Sequence, residues 1–114
     1  MTKANLQIAL QYWARIMGLT DWTITARWGT TEELRGEPPE LSACGMCMWN
    51  PTTKTAEIVL DRKQRDIEGT LIHELAHLLL HGHKPPCGTA YTPNQEAICD
   101  QIAAMLQRVL REGA

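Results

Sequence analysis

The stretch from Gly69 to His81, GTLIHELAHLLLH, decides the fold of this 114-residue chain. Its residues are good helix formers and are apolar almost all the way round, which is typical of a helix buried in a core. Asp66 precedes the stretch as a candidate N-cap, and Glu68 in the first turn suits the helix dipole. The sequence therefore predicts a central helix on which the other elements pack.

Three polar residues interrupt this apolar helix. His73 and His77 are four positions apart, so their imidazoles lie on one face, one turn apart, and can bind one metal ion as neighbouring ligands. With Glu74 they form the H-E-x-x-H pattern of zinc hydrolases, in which the glutamate is a general base rather than a ligand. The alternative is a core helix with two hydrogen-bonded histidines, but burying these groups without a metal would cost free energy.

Composition limits the other functions open to the chain. Apolar residues make up 44% and charged residues 21%, so we expect one globular domain spanning residues 1–114. The net charge of −2 argues against a nucleic-acid partner. No segment approaches the length of a membrane span, and the polar start at Met1–Asn5 is unlike a signal peptide, so we expect a cytoplasmic protein without a membrane partner.

The four cysteines, Cys44, Cys47, Cys87 and Cys99, are expected to be reduced in the cytoplasm. Cys44 and Cys47 form a C-x-x-C, a pattern typical of zinc knuckles and redox sites. Both are disfavoured here, because the flanking residues are strand-like and residues three apart in a strand point to opposite faces. We therefore interpret the cysteines as small buried residues, with a site built from all four thiolates as the alternative.

Periodicity places the remaining elements. Leu6, Leu10, Trp13 and Met17 give an apolar stripe to a helix over Lys3–Met17, which Gly18 ends. Alternation over Asp21–Trp28 predicts a half-buried strand, and a long surface loop is expected over residues 29–43.

The second half of the chain begins with a predicted hairpin. Gly45–Trp49 and Ala56–Leu60 are close enough to form antiparallel strands. A last helix from Pro93 to about Arg111 is capped by Thr92. Its predicted apolar face consists of Ile98, Ile102, Met105, Leu106 and Val109.

A catalytic zinc needs a third protein ligand and an open position for water. His81 is eight residues from His73, about 12 Å along a helix, which is too far to share the ion. His83 would require the chain to double back within a short turn. The predicted ligand is Glu96, one turn into the last helix, although early acidic residues also occur as solvated groups. Asp100 lies on the same face and could accept the other N–H of a metal-bound histidine.

These motifs resemble the gluzincins, zinc metallopeptidases of the thermolysin-like class. The resemblance rests on H-E-x-x-H at 73–77 and on NQEAICD at 94–100, which matches the downstream Glu-x-x-x-Asp helix of that family. In size the chain is similar to minigluzincins, and its HELAHLLLH resembles the ImmA-type peptidases of mobile elements. The resemblance covers residues 73–100, and element order extends it upstream.

The resemblance implies an α+β, zincin-like fold with an N-terminal helix, a small three-stranded mixed sheet, an active-site helix and a C-terminal glutamate helix. It implies a zinc metalloendopeptidase with a peptide or protein substrate, which would pair with the sheet edge at Gly45–Trp49. Larger gluzincins carry a further subdomain that supplies a transition-state donor. Here Tyr91 is predicted in that role, with His81 and His83 as alternatives.

Two other interpretations of the motif stay open. One is an SprT-like peptidase with a histidine as its third ligand, although the basic surface expected of proteins acting near DNA is absent. The other is a catalytically inactive zinc-binding module of a phage, toxin or repressor system. Glu74 argues against the inactive module, because a structural zinc site does not need a general base.

Overall fold

The computed structural model describes residues 3–30, 34, 45–82 and 93–112. Within them the chain forms three helices and a three-stranded mixed sheet, so the predicted α+β class is confirmed. The elements in chain order are α1 (Lys3–Ile16), β1 (Thr23–Gly29), β2 (Gly45–Asn50), β3 (Thr55–Asp61), α2 (Ile67–His81) and α3 (Pro93–Glu112).

The sheet has the order β1-β3-β2, with β3 in the centre. β2 and β3 form the predicted antiparallel hairpin, whose turn is closed by Asn50 Oδ1 accepting from the backbone N–H of Thr52 at 2.9 Å. β1 pairs with β3 in parallel. Ile58, Val59 and Leu60 of β3 are fully buried, as expected of a strand covered on both faces.

Helix α1 packs on the core through the predicted stripe. Leu6 and Leu10 are fully buried and Trp13 is nearly so. Gly18 has a φ of +75°, the left-handed conformation that ends many helices, and this brings the Leu19 N–H within 2.8 Å of the Ala14 carbonyl. The predicted helix end is therefore confirmed.

Helix α2 is the buried central helix. Asp66 caps it, because its carboxylate accepts from the Gly69 N–H at 2.9 Å. The side chains of Leu71, Ile72 and Leu75 have no exposed surface. Burial ends in the last turn, where Leu79 and Leu80 are exposed, so the apolar sequence of this helix is not covered along its whole length.

The predicted apolar face of α3 is wrong in part, because only Leu106 of its members packs against the core and Ile102 is half-buried. Ile98, Met105 and Val109 are about half exposed, at 48%, 54% and 56%. The helix instead packs through Cys99 and Ala103, with Leu106 and Leu110 half-buried against the core. The prediction assigned the large apolar side chains to the buried face. The helix contact is close, and small residues fit it better than large ones.

The surface loop predicted over residues 29–43 is also wrong at its start. Gly29 is the last residue of β1, and Leu34 is helical and only 3% exposed. The Leu34 N–H donates to the Thr30 carbonyl at 3.2 Å. The rest of that segment lies outside the described residues.

None of the described helices has the length and apolar character needed to cross a membrane.

The N-terminal end of β2 lies against α2. A Cβ on Gly45 would sit 2.9 Å from both Thr70 Cγ2 and Leu60 Cδ2, so a larger residue would push these two side chains aside. Thr70 is one turn before His73, and this contact therefore fixes the outer strand of the hairpin beside the helix that carries the histidines.

Candidate metal centre

Three predicted residues bring donor atoms together between α2 and α3. The Nε2 atoms of His73 and His77 are 3.1 Å apart. Glu96 directs Oε2 to His73 Nε2 at 3.2 Å and Oε1 to His77 Nε2 at 2.6 Å. Among the described residues, these three form the group of His, Cys, Asp or Glu donors that could share a metal ion.

Two of the three donor separations are close to those around a tetrahedral cation. Ligand bonds of 2.0–2.1 Å at tetrahedral angles place neighbouring donors about 3.3 Å apart. The separations of 3.1 and 3.2 Å are close to that value, and the 2.6 Å contact of Glu96 with His77 is a hydrogen-bond distance. Two nitrogens and one carboxylate are a zinc donor set, and imidazole also suits cobalt, nickel and iron.

The antiparallel packing of α2 and α3 brings Glu96 to the histidines. Residues further along α3 meet residues progressively earlier on α2: Glu96 reaches His77, Asp100 reaches His73, and Gln107 reaches Asp66 at 3.4 Å. The Gln107 side chain also lies 3.4 Å from a carboxylate oxygen of Glu68. Contacts at both ends of this interface therefore hold α3 in register across the histidine face.

The Nδ1 atoms of both histidines, here called the outer nitrogens, also contact side chains of α3, whereas the Nε2 atoms are the inner nitrogens. His73 Nδ1 is 2.7 Å from Asp100 Oδ1, so the structure brings together the two residues that the sequence paired. His77 Nδ1 is 3.4 Å from Cys99 Sγ. This contact was not predicted from the sequence. The position of Cys99, three residues after Glu96, does place it on the same helix face.

The electrostatics of the site favour a neutral His77. Burial lowers the pKa of His77, although the adjacent Glu96 carboxylate acts in the opposite direction. The ring is only 1% exposed, so the charged form would be poorly solvated. Neutral imidazole is the form that binds metals. His77 is therefore held in the protonation state that a ligand requires.

Glu74 is the buried carboxylate of the motif. Burial, with a smaller effect of the Glu96 charge, raises the pKa of Glu74 to about 8. A carboxyl group in this environment holds its proton at neutral pH unless a positive charge lies nearby. A divalent cation beside it would lower that pKa, because bound cations reverse the local balance of charge. The position of Glu74 thus suits a group that exchanges a proton at the metal centre.

The site is enclosed on one side and open on the other. Glu74 and His77 are buried, whereas the side chains of Glu96 and Asp100 are 47% and 75% exposed. Glu74 therefore belongs to the buried part of the site. Within the described residues, the exposed carboxylates of Glu96 and Asp100 mark the side of the site that faces solvent.

The other predicted site residues are placed as follows. The His81 ring lies beside that of His77, with centroids 5.7 Å apart, and is outside the group of converging donors. Tyr91, His83, Cys44 and Cys87 lie outside the described residues. Cys47 and Cys99 are buried and outside any disulfide, as predicted.

Comparisons with known proteins leave this geometry as the basis for assigning a function. A scan against protein-family models gives no match. Searches of curated proteins and of solved structures give no match either.

Proposed function

We propose that the protein is a zinc-dependent metallopeptidase. The proposal rests on one observation, the convergence of His73 Nε2, His77 Nε2 and a Glu96 carboxylate oxygen beside the buried Glu74. A structural zinc site closes with four protein ligands, whereas three protein ligands leave one position open. Three donors among the described residues, together with the adjacent Glu74 carboxylate, favour a catalytic centre over an inactive zinc-binding module.

The residues of the centre have separate roles in this proposal. Bound zinc supplies a Lewis acid that polarises a carbonyl and makes water acidic enough to lose a proton near neutral pH. Glu74 accepts the proton of the attacking water and donates it to the leaving amine of the peptide. Asp100 orients the His73 ring through Nδ1. Tyr91 stays our proposed donor to the developing oxyanion, with His81 and His83 as alternatives.

The substrate we propose is an extended peptide or protein segment. β2 is an outer strand of the described sheet, and it lies against α2 close to His73. An extended chain could add to this edge through main-chain hydrogen bonds. We further propose that the protein acts in the cytoplasm and has no nucleic-acid or membrane partner.

Hydrolysis by a Glu74→Gln variant tests the function. The amide keeps the size of the side chain but cannot accept the proton, so we expect zinc binding to be retained. Cleavage of casein or of a fluorogenic peptide library at neutral pH should fall by about 10²- to 10⁴-fold. The matched control is Glu57→Gln, a partly exposed glutamate of β3 paired with Arg27 at 3.3 Å. Full hydrolysis by Glu74→Gln, or hydrolysis that a chelator does not stop, would contradict the proposal.

A further inference from the structure

Cys99 occupies a position on α3 that is tied to the metal centre. Glu96, Cys99 and Asp100 stand at positions i, i+3 and i+4 of one helix and therefore share a face. Glu96 contacts the inner nitrogen of both histidines. Asp100 contacts the outer nitrogen of His73, and Cys99 contacts the outer nitrogen of His77. One helix face thus meets all four imidazole nitrogens.

From this arrangement we propose that Cys99 is a positioning residue for His77, and the inference rests on the proposed zinc centre. A histidine that binds a metal through Nε2 carries its proton on Nδ1, and that N–H needs an acceptor when it is buried. The Cys99 sulfur, 3.4 Å from His77 Nδ1, is in place to accept it. The contact fixes both the tautomer and the orientation of the ring.

Burial makes this contact matter for His77. His77 is 1% exposed and Cys99 is fully buried, so water has little access to the Nδ1 side of the ring. Losing a buried hydrogen bond costs free energy, and this cost would fall on the zinc-bound form. Asp100, by contrast, is 75% exposed, so water could replace its carboxylate beside His73.

The thiol does not act as a further ligand in this proposal. Its sulfur lies at Nδ1 of His77, whereas the converging donors gather at Nε2. Those two nitrogens are on different sides of the imidazole ring and point in different directions. A neutral sulfur is also a weaker hydrogen-bond acceptor than a carboxylate. The hydrogen bond from His77 to Cys99 is therefore weaker than the one from His73 to Asp100.

Zinc affinity measured by competition with a chromophoric chelator tests the inference. For Cys99→Ala we expect affinity to fall by about tenfold, the lower end of the range for partners of metal-bound histidines. Cys99→Ser should recover part of the loss, because a hydroxyl can accept the same hydrogen bond. The matched control is Cys47→Ala, which removes another buried free thiol in β2 and should leave affinity unchanged.

A second measurement separates positioning from general stability. In the zinc-loaded wild type, NMR should show a slowly exchanging His77 Nδ1 proton, and this signal should shift or exchange faster in Cys99→Ala. Equal zinc affinity and an unchanged signal in Cys99→Ala would overturn the inference while leaving the zinc centre intact. A wild-type protein that binds no zinc would overturn both the proposed function and the role of Cys99.

Discussion

Glu96 Oε1 lies 2.6 Å from His77 Nε2, although nineteen positions of sequence separate the two residues. The other carboxylate oxygen lies 3.2 Å from His73, so a single side chain on α3 spans both histidines of α2. This contact between helices completes a three-donor set that neither helix contains alone. It is therefore the relationship on which the proposed metal centre depends.

Removing the Glu96 carboxylate should abolish stoichiometric zinc binding. A catalytic zinc held by two histidines alone has lost one of its three protein ligands. Elemental analysis of Glu96→Ala should show far less than the one zinc per chain expected of wild type. Glu57→Ala, at a partly exposed position outside the centre, should retain the metal.

The histidine-ligand alternative makes the opposite prediction. An SprT-like site would lose zinc in His83→Ala and keep it in Glu96→Ala. Zinc content measured on the two variants side by side therefore distinguishes the two ligand sets, and retention of zinc by Glu96→Ala would reject the carboxylate ligand.

Asp100→Asn should weaken zinc binding without removing it. The amide oxygen can still accept from His73 Nδ1, but it lacks the charge that makes the imidazole a stronger donor to the metal. Because the Asp100 side chain is 75% exposed, we expect a loss near the lower end of the usual range, about tenfold. Chelator competition measures it, with Asp21→Asn as the control. An unchanged affinity would show that this carboxylate does not support the ligand.

The stability of the metal-free protein should depend on the pH through Glu74. Its pKa is raised from 4.5 to about 8 in the folded state, so folding favours the protonated form. The resulting stabilisation is complete below the unfolded pKa and is lost as the pH rises through about 8.

Urea unfolding of wild type and Glu74→Gln in the presence of a chelator checks this dependence. The glutamine variant does not titrate, so wild type should lose stability relative to it between about pH 5 and pH 8, by a few kcal/mol. Parallel pH profiles for the two proteins would show that Glu74 titrates normally.

Asp66→Ala should destabilise the fold through α2. The Asp66 carboxylate accepts from the Gly69 N–H, and loss of such a cap costs about 1 kcal/mol. The effect should appear as a lower urea midpoint with an unchanged slope. Asp21→Ala, which removes an exposed partner of Lys54, should have a smaller effect. An equal loss in both variants would argue against a specific capping role.

Local sequence rules determined much of the fold and the main residues of the site. The period of a helix brings His73 and His77 to one side whatever packs against them, and it does the same for Glu96 and Asp100. The cap at Asp66, the left-handed Gly18 and the β2–β3 hairpin likewise follow from residues close in sequence. For this reason each could be predicted without knowledge of the tertiary contacts.

Only the tertiary structure decided how these local elements meet. The parallel pairing of β1 with β3 and the burial of Leu34 depend on contacts between distant segments. The face of α3 that turns inward was set by close packing on α2, which selects small Cys99 and Ala103 and leaves Ile98 exposed. The same packing brings Cys99 to His77. Helical periodicity fixes which residues share a face, but tertiary packing decides which face is buried.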